Sequence, residues 1–285
     1  MPLAPSRAWR SVTIAALALV ASACQAPAKS TPPADTLQRA VSHEGRGRIR
    51  GIVSLRGTPP APRSEPITKD QSVCGSSAPV TRLTLGNGNG VHGAFIYLDG
   101  VNSEENARPR LSTEVEQKGC AYGPHVMTIA AGSSLEIVNN DPILHNVHAR
   151  QSTSDGLQTV FNIAQPVRGQ RTRVDAPLDK PGIVALTCEA GHPWMTAYIL
   201  VANHPYVATS GESGEFVIND VPAGTYPIKM WHEGVQLSRV IPSMQIFEYE
   251  QPYESTEQVV VPPNGEAMVN FSFELRPSPD GEKAN

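Results

Sequence analysis

From Gly47 onward the apolar positions recur mostly at a spacing of two. Ile49, Val53 and Leu55 are separated by polar residues and Gly51, the pattern of a strand with one buried face. Gly57-Thr58-Pro59-Pro60 breaks this run, and the stretch to Gly90 is too rich in turn residues to assign. Beyond it, β-branched and apolar runs bounded by Gly, Pro, Asn and Asp follow at regular intervals. They predict strands at 93–98, 125–130, 134–139, 144–149, 159–163, 182–187 and 197–203. A second series starts near His204-Pro205, with strands expected at 206–209, 216–218, 225–231, 258–261 and 267–275. No stretch after residue 30 sustains a helical period. The expectation is an all-β chain: a Greek-key sandwich followed by a small second sandwich.

Composition agrees with many short strands joined by turns, since Pro (26) and Gly (23) are plentiful while aromatics make up only 6%. The N-terminus reads differently. Arg7 and Arg10 precede the apolar run 12–20, and Ala21-Ser22-Ala23-Cys24 follows it, the layout of a secretory signal with small residues at the cut. The run is short for a mature transmembrane helix. The cysteine after small residues resembles a bacterial lipobox, although Ala21 stands where Leu is usual. We therefore expect residues 1–23 to be a lipoprotein signal peptide, with lipidation at Cys24. Residues 24–46 are polar and Pro-containing, as in a disordered tether. The expected domains are then 47–203 and 204–276, with a disordered tail at 277–285.

Removing residues 1–23 takes away two arginines and no acid, so the exported chain is more acidic than the formal −4 of the whole. That disfavours nucleic acid as a partner. With Cys24 lipidated, Cys74, Cys120 and Cys188 remain in an oxidising compartment, an odd number. The simplest partition is a Cys74–Cys120 disulfide and a metal-bound Cys188. The alternative leaves Cys74 and Cys120 apart as buried thiols.

The chemistry-bearing residues fall in two segments. One is Asn139-Asn140-Asp141-Pro142-Ile143-Leu144-His145-Asn146-Val147-His148; the other is Cys188-Glu189-Ala190-Gly191-His192-Pro193-Trp194-Met195. Cys, His and Met in one short loop after an apolar strand, with a second His at an earlier strand start, supply two imidazoles, a thiolate and a thioether. Soft sulfur donors with imidazole suit copper, the thioether as a weak axial ligand; thioether is not among the usual ligands of zinc. His145, Cys188, His192 and Met195 are the candidate ligands for one copper ion cycling between Cu(II) and Cu(I). Asn140 and Asn146 are candidates to orient them from behind. His125 and His148 are possible additional metal ligands, although the strand alternation turns His148 to the face opposite His145. His43, His92, His204 and His232 have no ligand spacing.

These segments resemble the two ligand segments of plastocyanin-like cupredoxins, and the His-Pro-aromatic-Met ending is similar to that of the amicyanins. The wider run, from QKGCAYGPHVM to HPYVATSGESGEF, resembles a bacterial methylamine-utilisation or plastocyanin-like family. The C-terminal SGESGEFVINDVPAGTYPIKMWHEG resembles the carboxypeptidase regulatory-like domain, a transthyretin-like β-sandwich without catalytic residues of its own. The resemblance implies a cupredoxin-like sandwich followed by a transthyretin-like one, and an electron carrier working with a redox partner protein. One departure is the three residues between Cys188 and His192, where relatives usually have two, which leaves the electronic type and potential of the site open. A dinuclear copper centre would need a cysteine four residues before Cys188, and Val184 is there.

No Gly-x-Ser-x-Gly, phosphate-binding glycine loop or His-Glu-x-x-His occurs, so no enzyme is expected. The sequence thus points to an exported copper protein, periplasmic or at the cell surface, anchored to a bacterial membrane by an N-terminal lipid. Its expected work is one-electron transfer, with a periplasmic copper carrier or buffer, or a metal-free scaffold or adhesion module, as the alternatives.

Overall fold

The structure is a computed structural model that describes residues 45–101, 114–241 and 246–276. The expected signal peptide, Cys24, nearly all of the tether and the tail lie outside these residues. The chain is nearly all β. It opens with β1 (Arg46–Arg56), β2 (Ser64–Pro66), a single helical turn α1 (Gln71–Cys74), β3 (Ser77–Pro79) and β4 (Phe95–Leu98). There follow β5 (Glu114–Lys118), β6 (Ala121–Gly123), β7 (Val126–Ala130), β8 (Ser133–Asn139), β9 (His145–Thr153), β10 (Gly156–Gln165), β11 (Gln170–Leu178), β12 (Gly182–Thr187) and β13 (Thr196–Ala202). The last stretch holds β14 (Val207–Thr209), β15 (Glu215–Pro222), β16 (Gly224–His232), β17 (Leu237–Ile241), β18 (Ile246–Tyr249), β19 (Tyr253–Val261), β20 (Glu266–Met268) and β21 (Phe271–Glu274).

Strand pairing divides the chain at places other than the expected 203/204 boundary. β1 runs antiparallel to β15 and parallel to β20 and then β21, while β4 lies between β14 and β16. Strands β1 and β4 are therefore part of the C-terminal sandwich, whose sheets are β15-β1-β20/β21 and β14-β4-β16-β19, while β2 and β3 pair with each other. Its core unites Ile49, Val53, Ile96 and Leu98 with Phe216, Ile228, Met230 and Phe271. Residues from Glu114 to Ala202 form a second sandwich, inserted between β4 and β14, with sheets β10-β9-β12-β13-β7 and β11-β8-β5-β6. The reason lies in β1. Its backbone pairs on one edge with 215–222 and on the other with 266–274, and its apolar face, Ile49, Val53 and Leu55, packs onto Ile96, Ile228 and Met230 of the facing sheet.

Gly51 permits this arrangement. A Cβ there would stand 1.6 Å from the Val269 carbonyl oxygen, at the point where β1 passes from β20 to β21. The long excursion expected between 231 and 258 contains the β17–β18 hairpin.

The inserted sandwich buries Ile129, Leu135, Ile137, Leu186 and Ile199 completely or nearly so. Each such side chain contributes about 1.5–3 kcal/mol through removal from water. Phe95, Leu200 and Trp231 form a third cluster where the two sandwiches meet. Beside it lies a buried polar junction: Arg82 is ion-paired with Glu233, which also bonds His125.

Candidate metal centre

The β12–β13 hairpin and the pairing of β12 with β9 bring the ligand candidates together. The antiparallel β12–β13 pair closes at Thr187 and Thr196, so residues 188–195 form a compact loop. Its ends are tied by Cys188 N–H to the Met195 carbonyl at 3.3 Å and by Met195 N–H to the His192 carbonyl at 3.0 Å. Gly191, with φ +92°, supplies a backbone conformation that other residues rarely adopt. β12 also pairs with β9, Thr187 opposite His148, which brings the start of β9, and hence His145, beside the loop.

His145, Cys188 and His192 offer donor atoms that all lie within 4.8 Å of one another, and all three residues are buried. The Nδ1 atoms of the two histidines are 3.2 Å apart, and Cys188 Sγ is 3.6 Å from His192 Nδ1. Met195 is buried in the same core cluster as Cys188. The other ring nitrogens face carboxylates: His145 Nε2 lies 2.9 Å from Asp141 Oδ2 and His192 Nε2 lies 3.0 Å from Asp70 Oδ2. A carboxylate only accepts, so each Nε2 carries the proton. A neutral imidazole then presents its Nδ1 lone pair. Burial keeps the His192 ring below its ordinary pKa, with Asp70 opposing, so that ring is neutral at pH 7.

Two lone pairs facing each other across 3.2 Å in a buried space, with a sulfur beside them, suit a cation between them. The donor set of two imidazoles and one thiolate fits copper. Burial raises the Cys188 thiol above its usual pKa, while the amides of Asn146 and Ala190 and the Tyr122 hydroxyl pull the other way. A bound cation would add to that pull and hold the sulfur as thiolate.

The Asp141 carboxylate is held firmly. Its burial acts to raise its pKa, but the Cys120 amide, His145 and the Gly119 amide outweigh this and hold it below the usual carboxylate range. The two amides donate to it at 2.8 Å each. Cys120, Asp141 and His145 also offer donor atoms within 4.8 Å of one another. The Cys120 sulfur, however, is bonded to Cys74 in a disulfide, which leaves Cys188 the free cysteine among the described residues.

The remaining candidates are placed as follows. Asn146 accepts from the Glu189 amide and donates to Asn162 at 2.7 Å, tying β9 to the residue after Cys188. Asn140 turns away and donates to Glu116 at 2.6 Å. The neighbouring Asn139 takes the part expected of Asn140. Its amide donates to the carbonyls of Ile143 and Gln165, and its oxygen accepts from Asp141 N–H, pinning the turn before His145. Asn139 is on the buried face of β8 and Asn140 lies just past its end, which decides between them.

His148 stands with Nδ1 2.8 Å from Glu189 and Nε2 2.8 Å from Thr159, on the face away from the cluster. His125 contacts the Thr196 carbonyl and Glu233 at the junction of the sandwiches. Neither joins the metal-ligand group, so the two possible additional ligands are otherwise engaged. Sequence reasoning missed Asp70, Asp141 and Asn139. Asp141 carried a signal in its position four residues before His145; Asp70 lay in the unassigned turn-rich stretch and carried none.

No protein-family model matches the chain, and no curated protein does. Among solved structures, it is similar to a purple cupredoxin from Nitrosopumilus maritimus, at 18% identity over 32% of this chain and 100% of that one, with a TM-score of 0.27. Dithionite-reduced auracyanin from Roseiflexus castenholzii matches at 15% identity over 33% of this chain and 99% of that one, TM-score 0.27. A copper-containing nitrite reductase from Thermus scotoductus matches at 26% identity over 36% of this chain and 25% of that one, TM-score 0.27.

Proposed function

We propose that this chain is a mononuclear copper protein that transfers single electrons, exported and held to a bacterial membrane by lipid at Cys24. The observation that carries the reading is the convergence of His145 Nδ1, His192 Nδ1 and Cys188 Sγ in a buried cluster. Met195, on the same loop, would supply the weak fourth ligand. Bound copper supplies a one-electron Cu(II)/Cu(I) couple.

The chain's own residues do the rest. The loop 188–195 closes between two paired strands, and β9 is paired on both edges, so the donors are held by rigid elements and need move little when the charge on the metal changes. His145 and His192 are fully buried, so water is kept from the donors and none of them opens to a substrate. That arrangement favours electron transfer over catalysis. Trp194 packs edge-on to His192 at 5.4 Å between ring centroids and donates to the Cys120 carbonyl, which gives the shielded site a conjugated neighbour toward the surface. Export to the periplasm or cell surface rests on the N-terminal signal pattern and on the disulfide, which persists in oxidising compartments. The other sandwich, built from β1, β4 and the strands after Ala202, would serve for spacing or docking to a redox partner.

The test is voltammetry of the copper-loaded chain. Reversible one-electron cycling, together with electron exchange with an unrelated small redox protein, supports the reading. Tight Cu(I) binding without reversible cycling would instead indicate a copper carrier.

A further inference from the structure

Asp70 is at the position that begins α1, where an aspartate ordinarily turns its carboxylate onto the first free amides of the helix. Here it does not. Asp70 adopts a left-handed conformation (φ 53°, ψ 34°) and makes no side-chain cap bond, its backbone carbonyl accepting from Val73 and Cys74 instead. The carboxylate is spent on His192 Nε2, 3.0 Å away and 122 residues on in sequence. Neighbouring bonds fix this placement from both sides. Lys69 donates to the Ala190 carbonyl within the ligand loop, and Cys74 closes the disulfide to Cys120. Cys120 in turn donates its amide to Asp141, the partner of His145. The two histidines therefore have matching carboxylates, and the disulfide ties the turn that carries Asp70 to Cys120, whose amide holds Asp141.

We infer that Asp70 and Asp141 are positioning residues of the metal centre. Each holds the Nε2–H of one histidine so that the Nδ1 lone pairs converge beside Cys188, and their negative charges favour the more positive oxidised ion. The inference rests on the copper reading above. Without Asp70, His192 is free to turn or to exchange tautomers, and Cu(II) loses a nearby compensating charge that Cu(I) needs less. Partners of this kind change metal affinity by about 10–100-fold when removed.

The experiment compares wild type, Asp70→Ala and Asp70→Asn in three measurements: Cu(II) and Cu(I) competition titrations, voltammetry, and imidazole nitrogen NMR of the metal-free protein. Asp70 is the better target than Asp141 because its side chain is 29% exposed and is not bonded to backbone amides. Asp70→Ala should weaken Cu(II) binding about 10–100-fold and Cu(I) binding less. A tenfold change in their ratio raises the reduction potential by about 59 mV. Asp70→Asn keeps the acceptor and loses the charge. It should preserve the Nε2–H form of His192 while still raising the potential, and Asp70→Ala should lose that form. Wild type that binds copper, with an Asp70→Ala variant of unchanged Cu(II)/Cu(I) ratio and unchanged His192 signals, overturns this inference alone. Wild type that takes up no copper overturns the copper reading and this inference with it.

Discussion

Arg82→Ala tests the buried polar junction beside the place where the two sandwiches meet. The Arg82 and Glu233 side chains are 9% and 5% exposed, and Arg82 Nη1 lies 3.3 Å from Glu233 Oε2, close enough for ion pairing although off hydrogen-bond geometry. At an effective dielectric constant of about 20, that separation corresponds to an attraction of about 5 kcal/mol. Arg82 also donates to the Tyr198 hydroxyl at 3.0 Å and lies over the Tyr249 ring, contacts worth about 1 kcal/mol each. Against these losses, Glu233 keeps His125, and the variant no longer bears the cost of desolvating a guanidinium. Removing one partner of a buried pair costs about 3–5 kcal/mol, and the retained His125 contact places the expected loss near the lower end, about 3 kcal/mol. Urea unfolding at pH 7, followed by circular dichroism, measures it. Glu233→Gln, alone and combined with Arg82→Ala, completes a double-mutant cycle, and the pair should cost clearly less together than the sum of the singles. A loss below about 1 kcal/mol for Arg82→Ala, or additivity within about 0.5 kcal/mol, would refute the reasoning.

Two further outcomes follow from backbone approach and from burial. Gly51→Ala should destabilise the chain by about 1–3 kcal/mol or prevent folding, because the added carbon meets the Val269 carbonyl; equal unfolding midpoints would contradict the β1–β20–β21 register. Burial holds His204 below its ordinary pKa of 6.5; its Nε2 donates to Leu98, and its Nδ1 accepts from Tyr206 and is not free to take a proton. Its contribution to stability is present above pH 6.5 and declines as the pH falls, at a slope of at most about 1.4 kcal/mol per pH unit. His204→Asn should flatten the stability profile below about pH 6.5, and a profile parallel to wild type would count against that assignment.

The strands most legible in the sequence were those with one apolar face. The expected 182–187 coincides with β12, and 134–139, 197–203 and 225–231 fall within a residue of β8, β13 and β16. β11 escaped notice because Gln170-Arg171-Thr172-Arg173 puts polar side chains along an exposed stretch that is paired by backbone bonds to β8. β5 was hidden similarly, with only Val115 and Gln117 buried among charged neighbours. The topology was illegible for a different reason. Periodicity reports that β1 has a buried face, but not that its partners lie more than 160 residues away. The same holds for the site. The candidate Cys, His and Met ligands announce themselves by local spacing, whereas Asp70 reaches His192 only through the fold.

The account turns on whether His145, Cys188 and His192 hold one copper ion. Titration of the purified chain with Cu(II), followed by visible absorption, tests this most directly. It should take up one equivalent and develop an intense thiolate-to-copper band that is absent from Cys188→Ala. A chain that binds no copper, or whose absorption is the same in Cys188→Ala, would contradict the account.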